Sequence, residues 1–392
     1  MKVNFRTLAD KYKNELLSNV IPFWEKYSPD RENGGYLTCL DRQGNVYDTD
    51  KFVWLQARQA WMFAFLYNNV ERKEKWLEIA ERGIHFLEIH GRDADGNWYF
   101  SLTKDGRPII APYNIFSDCF AAMAFSQMAK AEGGKRYSDI AVSTFSNILR
   151  RAGNPKGIYN KSITATRNTR SFSLPMILCS LALEMEHLLD SEVVGEIIER
   201  CTGDVMDVFY DPAAGLIREN VNEDGTFPDT FEGRLINPGH GTEAMWFIMD
   251  IAERNNDKSL ADKAMLRTLN TLKYGWDEKY GGIFYFMDVN GYPVQQLEWD
   301  QKLWWVHVET LISLIKGYYL TGNEECLKWF EKLHDYTWSH FPDPEYGEWF
   351  GYLNRRGEVL LPLKGGKWKG CFHIPRGLYQ VWKTMDRINC KI

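Results

Sequence analysis

Two histidines far apart in the chain sit in similar company. His240 lies in Asn237-Pro238-Gly239-His240-Gly241-Thr242-Glu243, and His373 in Lys369-Gly370-Cys371-Phe372-His373-Ile374-Pro375-Arg376. An unperturbed imidazole titrates near neutrality, so a pair of them can take and return a proton with little tuning. Pro238, Gly239 and Gly241 read as a tight loop that lets another molecule approach the His240 ring. Thr242 reads as the cap of the helix that follows, where Ala244, Trp246, Phe247, Ile248, Ile251 and Ala252 are apolar nearly all round. A helix of that kind is buried, and the positive end of its dipole is expected to keep His240 neutral, which suits a base. Taken singly, each histidine is more readily a loop tether. Their matched settings favour chemistry.

The elements that would position them repeat. An Asp/Asn–Gly–aromatic signature, a short extended pair and an apolar helix recur six times, about sixty residues apart, with the third and fourth copies looser. The signatures are Asn33-Gly34-Gly35-Tyr36, Asp95-Gly96-Asn97-Trp98, Pro155-Lys156-Gly157-Ile158-Tyr159, Asp211-Pro212-Ala213-Ala214-Gly215, Tyr280-Gly281-Gly282-Ile283 and Tyr346-Gly347-Glu348-Trp349. They lead to apolar helices from Trp54, Ile115, Phe172, His240, around Trp304, and His373. Between them, Lys73–Glu88, Arg136–Arg150, Val193–Phe209, Lys258–Tyr274 and Glu324–His340 have the spacing of amphipathic helices. Alternating apolar and amphipathic helices imply an inner ring inside an outer one. The expected fold is all-α, a single (α/α)6-barrel domain over 1–392, with β-hairpins and inner-helix N-termini gathered at one end.

That convergence would build one pocket. Its expected lining is Trp54 and Arg58, then Asn114, Ser117 and Asp118, then Arg170 and Ser171, then His240 and Glu243. The last two repeats add Lys302, Trp305, His307 and Glu309, then Trp368, Lys369, His373 and Arg376. Aromatic faces with convergent polar groups suit a sugar, whose C–H faces stack while its hydroxyls bond. Arg58 reads equally as a tie between helices. Glu243 is placed to orient His240 or to pair with Arg58 or Lys302. Glu309, on a buried helix, needs a partner or a task. His307 reads as structural, and His85, His90, His187, His334 and His340 as surface or packing residues. Lys364-Gly365-Gly366-Lys367 lacks the spacing of a phosphate loop.

Composition narrows the partners. The net charge is −6 and no Lys/Arg run stands out, so neither nucleic acid nor an anionic membrane is an expected partner. Met1 to Leu17 is charged and amphipathic rather than a signal peptide, and no apolar stretch approaches a membrane span. The 7 cysteines show no zinc spacing and read as reduced thiols of a cytoplasmic protein.

At these residues the sequence resembles the N-acylglucosamine 2-epimerase family, also called renin-binding protein. The matching stretches are Lys51–Gln59, Asn237–Glu243, Gln296–Trp299, Lys302–Trp305, Asp343–Tyr352, Lys364–Gly366 and Lys369–Arg376. The last favours this branch over the cellobiose 2-epimerases and a mannose isomerase of the wider superfamily. The resemblance implies an (α/α)6 barrel, commonly a homodimer, interconverting N-acetylglucosamine and N-acetylmannosamine with His240 and His373 as the acid/base pair. Arg58 and Glu309 match further family active-site positions. ATP stimulates some members, although no phosphate motif locates such a site here.

The chemistry agrees. Inverting C2 of an open-chain aldose removes the proton α to the aldehyde and returns one on the other face, which two bases on opposite faces accomplish. Arg58 is the first candidate to hold the developing oxyanion at O1. No metal or redox cofactor is required. An aldose–ketose isomerase needs only one base. A glycoside hydrolase would need two carboxylates, with Asp118 and Glu309 the available pair. A protein-binding module would need no paired histidines.

Overall fold

The computed structural model describes residues 4–391; Met1–Val3 and Ile392, the ends of the expected 1–392 domain, lie outside the described residues. The chain opens with α1 (Phe5–Glu15), which passes through a π-helical turn, Leu16–Val20, into α2 (Ile21–Tyr27). Helices α3 (Val53–Asn69), α4 (Glu74–His90), α5 (Phe116–Glu132), α6 (Lys135–Arg151), α7 (Ser173–Met185) and α8 (Ser191–Gly203) follow. Then come α9 (Pro238–Arg254), α10 (Lys258–Gly275), α11 (Trp304–Thr321), α12 (Glu324–His340) and α13 (His373–Asn389).

Odd-numbered helices from α3 onward form the inner ring, each packed on the next, and even-numbered ones lie outside them. α1 packs along α13 and serves as the sixth outer member. Ring contacts between Phe65 and Tyr379 and between Trp61 and Phe372 close the circle from α13 back to α3. The inner helices bury residues on nearly every face, as in α11, where Trp304 through Gly317 are all buried. The architecture is the expected (α/α)6 barrel.

One helix start differs from the sequence reading. Pro238, Gly239 and Gly241 lie inside α9, and its cap is Asn237, whose side chain accepts from His240 N at 3.2 Å. Proline is cheap at that position because the first-turn N–H has no helical partner to lose. Thr242 does not cap; its hydroxyl donates back to Pro238 O at 3.1 Å. His240 therefore stands in the first turn of its helix, and His373 is the first residue of α13.

Short antiparallel strands stitch neighbouring repeats together at the hairpin end. Lys51–Phe52, just before α3, pairs with Ser101–Leu102 of the second repeat. Thr169–Ser171, before α7, pairs with Asn220–Asn222. Leu235–Ile236 pairs with Met287–Asp288, and Lys302–Leu303 with Tyr352–Leu353. A bridge between Asp41 and Leu363 joins the last repeat to the first. Among the described residues no strand pair joins the second repeat to the third. The hairpin expected around Lys156-Gly157-Ile158 is absent: Gly157–Tyr159 is a single 3-10 turn in an exposed segment. That stretch is polar and lacks the alternation that would give a strand one buried face.

The recurring aspartates have a physical task. Asp30 accepts from the backbone of Glu32 and Asn33, fixing the turn, and takes Lys51 Nζ at 2.8 Å. Asp277 accepts from Lys279 N and takes Lys302 Nζ at 3.2 Å. Asp343 accepts from Glu345 N and takes Lys364 Nζ at 2.9 Å. All three ammonium groups are fully buried. Each pair therefore pins a hairpin to its barrel, and breaking one would leave an uncompensated buried charge.

Candidate active site

A cavity of about 610 Å³ opens at the hairpin end, within the size range of small-molecule sites. Trp54, Arg58, Asn114, His240, Glu243, Trp305, Trp368, His373 and Arg376 line it, as the sequence led us to expect.

Both histidines are oriented by carboxylates. His373 Nδ1 lies 2.7 Å from Glu309 Oε1, and His240 Nδ1 lies 3.0 and 3.1 Å from the two oxygens of Glu219. In each ring Nδ1–H donates to the acid, so Nε2 is the nitrogen left for chemistry. Trp305 packs against both rings, its centroid 5.3 Å from that of His240 and 5.8 Å from that of His373.

Their electrostatics differ. Burial disfavours the charged form of His240, yet the charges of Glu219, which bonds it, and of Glu243 outweigh that and raise its pKa above the ordinary imidazole value. The helix-dipole argument for a neutral His240 is thus overridden by a carboxylate in direct contact. Burial and the nearby Arg58 charge hold His373 well below the ordinary value. Glu309 does not reverse this, because the same Oε1 also accepts from Arg376 Nη2 at 2.7 Å.

Glu309 meets its expectation of a partner in full: Oε2 accepts from Trp246 Nε1 at 2.8 Å. Glu243 does not touch His240; its Oε1 takes Arg376 Nη2 at 2.5 Å. Glu243, Glu309 and His373 place three acceptors within 4.8 Å of one another, a spacing that suits a cation. The two carboxylates share the Arg376 guanidinium, and His373 is bonded to Glu309 rather than to that cation.

Arg58 is the other buried cation of the site and makes no ion pair among the described residues. Its guanidinium is caged by the faces of Phe120 at 3.9 Å and of Trp54 and Phe372 at 4.5 Å. Burial lowers its pKa to about 9, with the Arg376 charge adding to the effect. A caged guanidinium without an anion is suited to meet one that forms during reaction.

Other expected members are drawn elsewhere. Lys302 faces Asp277 and is fully buried away from the cavity lining, so its burial serves the hairpin and not a sugar. Asp118 bonds Arg151 at 2.8 Å, and burial raises its pKa to about 7. It does not line the cavity, and Glu309 is bonded throughout, so the carboxylate pair of a glycoside hydrolase is not assembled. Arg170 pairs with Asp204, and Lys369 with Glu348. His307 is structural: its Nε2 accepts from Ile283 N at 3.1 Å, and its Nδ1 lies 2.7 Å from Leu303 O. Lys364 Nζ is tied to Asp343 and to Glu348 O, so that glycine-flanked segment braces the rim.

Sequence reasoning missed Glu219, Tyr285, Tyr352 and the apolar wall of Phe116, Met176 and Ile177, all of which bear on the site. Glu219 has no spacing relation to His240. It arrives through two backbone bonds, with its N–H on Leu235 O and its carbonyl accepting from Phe172 N.

Comparison with known proteins agrees with this geometry. A profile of the N-acylglucosamine 2-epimerase (GlcNAc 2-epimerase) family matches residues 35–375. The N-acylglucosamine 2-epimerase of Mus musculus is 40% identical over 381 residues, covering 94% of this chain and 90% of the mouse protein. The human protein of that name is 38% identical over 374 residues, covering 92% and 86%. The solved cellobiose 2-epimerase from Bacillus thermoamylovorans superposes with a TM-score of 0.84 at 22% identity, covering 96% of this chain and 99% of that one, which confirms the barrel. With a family profile spanning most of its length over a barrel whose two histidines share one cavity, this chain belongs to the N-acylglucosamine 2-epimerase family.

Proposed function

We propose that this protein is a sugar isomerase that interconverts N-acetylglucosamine and N-acetylmannosamine. One observation supports this most strongly: two carboxylate-held histidines line one cavity, with Trp305 packed against both. The ring-opened sugar would lie with C2 between the two Nε2 atoms. One histidine removes the C2 proton, and the electron pair passes into an enediolate whose O1 charge the Arg58 guanidinium stabilises. The other histidine delivers a proton to the opposite face, inverting the centre. Glu243 and Glu309 hold Arg376 and the His373 ring in place, while Trp54, Trp305 and Asn114 contact the sugar. The family's name and the identity to the mouse and human proteins support the N-acyl sugar as substrate.

The reaction is tested by proton NMR of N-acetylmannosamine in D2O with the purified protein and no cofactor. Formation of N-acetylglucosamine carrying deuterium at C2 is the expected result. Absence of conversion, with or without ATP, alongside turnover of mannose or cellobiose, would sink the assignment. The family resemblance also supports a cytoplasmic homodimer and, as in some members, stimulation by ATP. Light scattering of the eluting protein and an ATP titration of the rate test these two properties.

A further inference from the structure

We propose that Glu219 is a positioning residue that makes His240 the proton-carrying member of the pair, so that resting enzyme abstracts with His373 and donates with His240. The inference rests on the epimerase reading above. Its ground is the unequal use of two carboxylates. Glu219 turns both oxygens to His240 Nδ1, at 3.0 and 3.1 Å, and has no other side-chain partner among the described residues. Glu309 divides itself among His373, Arg376 and Trp246. One histidine thus has a carboxylate to itself, while the other shares a carboxylate with a guanidinium. An exclusive anion favours an imidazolium; a neutralised one does not.

The surroundings point the same way. Glu243 faces His240 from its own helix, and Tyr285 and Glu298 line the cavity from the next hairpin. His373 has Arg58 and Arg376 as its charged neighbours from α3 and α13, with Glu243 opposing them. Glu219 itself is rigidly placed. Its N–H bonds Leu235 O at 3.1 Å and its carbonyl accepts from Phe172 N at 3.0 Å, so the strand before α9 and the start of α7 both hold it. Next to it Arg218 is tied to Asp211 and to Gly233 O.

In this assignment the C2–H bond breaks toward His373 Nε2 and its electron pair enters the enediolate. The Nε2–H of His240 then delivers its proton to C2 from the other side, while Nδ1–H stays on Glu219. Turnover leaves His373 charged and His240 neutral. Exchange with solvent restores the starting arrangement, and the reverse reaction uses the other one.

The test is the pH profile of kcat/KM for wild type, Glu219→Gln and Glu219→Asp with N-acetylmannosamine and N-acetylglucosamine in turn. For the epimer that His373 deprotonates, loss of the proton from His240 sets the basic limb. Removing the Glu219 charge should bring that limb down by about one pH unit and lower kcat roughly a hundredfold, with KM little changed. Glu219→Asp, which keeps the charge, should restore the limb and part of the rate. A Glu219→Gln enzyme with its limb at the wild-type pH, or with its loss confined to KM, would overturn the proposal. Should Glu219→Gln fail to fold, nitrogen-15 NMR of wild-type imidazoles, with His240 assigned through His240→Asn, decides the matter. A His240 ring still charged above pH 6.5 supports the assignment, and a neutral one overturns it. A wild-type enzyme that exchanges no C2 proton would instead refute the epimerase reading itself.

Discussion

Gly239 lies against the indole of Trp305 so closely that a methyl group on its Cα would stand 2.6 Å from the ring. The tryptophan reaches its place against the two histidines because this helix turn has no side chain there. Gly239→Ala must push Trp305 into the cavity or tilt the start of α9, and overpacking of this kind costs about 1–3 kcal/mol. We expect a lower melting temperature together with a kcat loss of about tenfold or more. Thermal melts and steady-state kinetics on the same preparation check both.

His240→Asn and His373→Asn should each lower epimerisation by about a hundredfold to ten-thousandfold while leaving the fold intact. The two variants should differ in isotope chemistry. With one base left, each should still exchange the C2 proton of one epimer in D2O without inverting it, and the two should choose opposite epimers. NMR of each sugar separately reads this out, and near-normal epimerisation in either variant would be incompatible with a two-base reaction.

Arg58→Met should preserve the aromatic cage while removing the charge. We expect kcat to fall about a hundredfold to a thousandfold, the size of losing one oxyanion donor, with a smaller change in KM. Equal losses in binding and turnover would make Arg58 a ground-state contact instead.

Lys302→Met should destabilise without touching the sugar. It leaves Asp277 buried with, among the described residues, only Arg355 as a cationic partner, so the cost should approach the roughly 3–5 kcal/mol of a broken buried pair. Denaturant unfolding measures the loss, and KM for the sugar should stay at its wild-type value.

Acid should unfold this protein early. Burial holds His307 and His334 neutral down to about pH 3, and His373 is also well below its ordinary value. Unfolded histidines titrate near 6.5, so below that pH the unfolded chain binds more protons and stability falls as pH falls. Each such residue contributes a slope of about 1.4 kcal/mol per pH unit between its unfolded and folded pKa values. Thermal melts between pH 7 and 5 should show the decline, and His307→Gln should flatten it by about that amount.

The barrel was legible because its signals are periodic. Six signatures, six apolar helices and amphipathic helices between them survive local irregularity, and the inner helices begin within two residues of their expected starts. That the two histidines and Arg58 would line one cavity was legible for the same reason, since each lies in the first two turns of an inner helix. What escaped was whatever depends on strand pairing or on charge balance. Glu219 comes to His240 through backbone bonds to Leu235 and Phe172, which no spacing along the chain encodes. Lys302 occupies the right position for a pocket residue, but its ammonium group is claimed by Asp277 from another turn. Glu243 sits one helical turn from His240, where the sequence invites a contact, and Arg376 draws it away. The third hairpin was read into a polar segment because the repeat led us to expect one.

The stitching between repeats has a mechanical meaning. Strand pairs or bridges join the first repeat to the second, the third to the fourth, onward to the sixth, and the sixth to the first. Only the seam between the second and third lacks one among the described residues. The mouth of the barrel is therefore a clasp with one open joint rather than a hoop. Phe116 on one side of that joint and Met176 and Ile177 on the other form the stretch of wall that can part without breaking a ladder bond. Fit to a bulkier or smaller sugar substituent is thus most cheaply altered at this joint, while the side that carries His240 and His373 stays fastened.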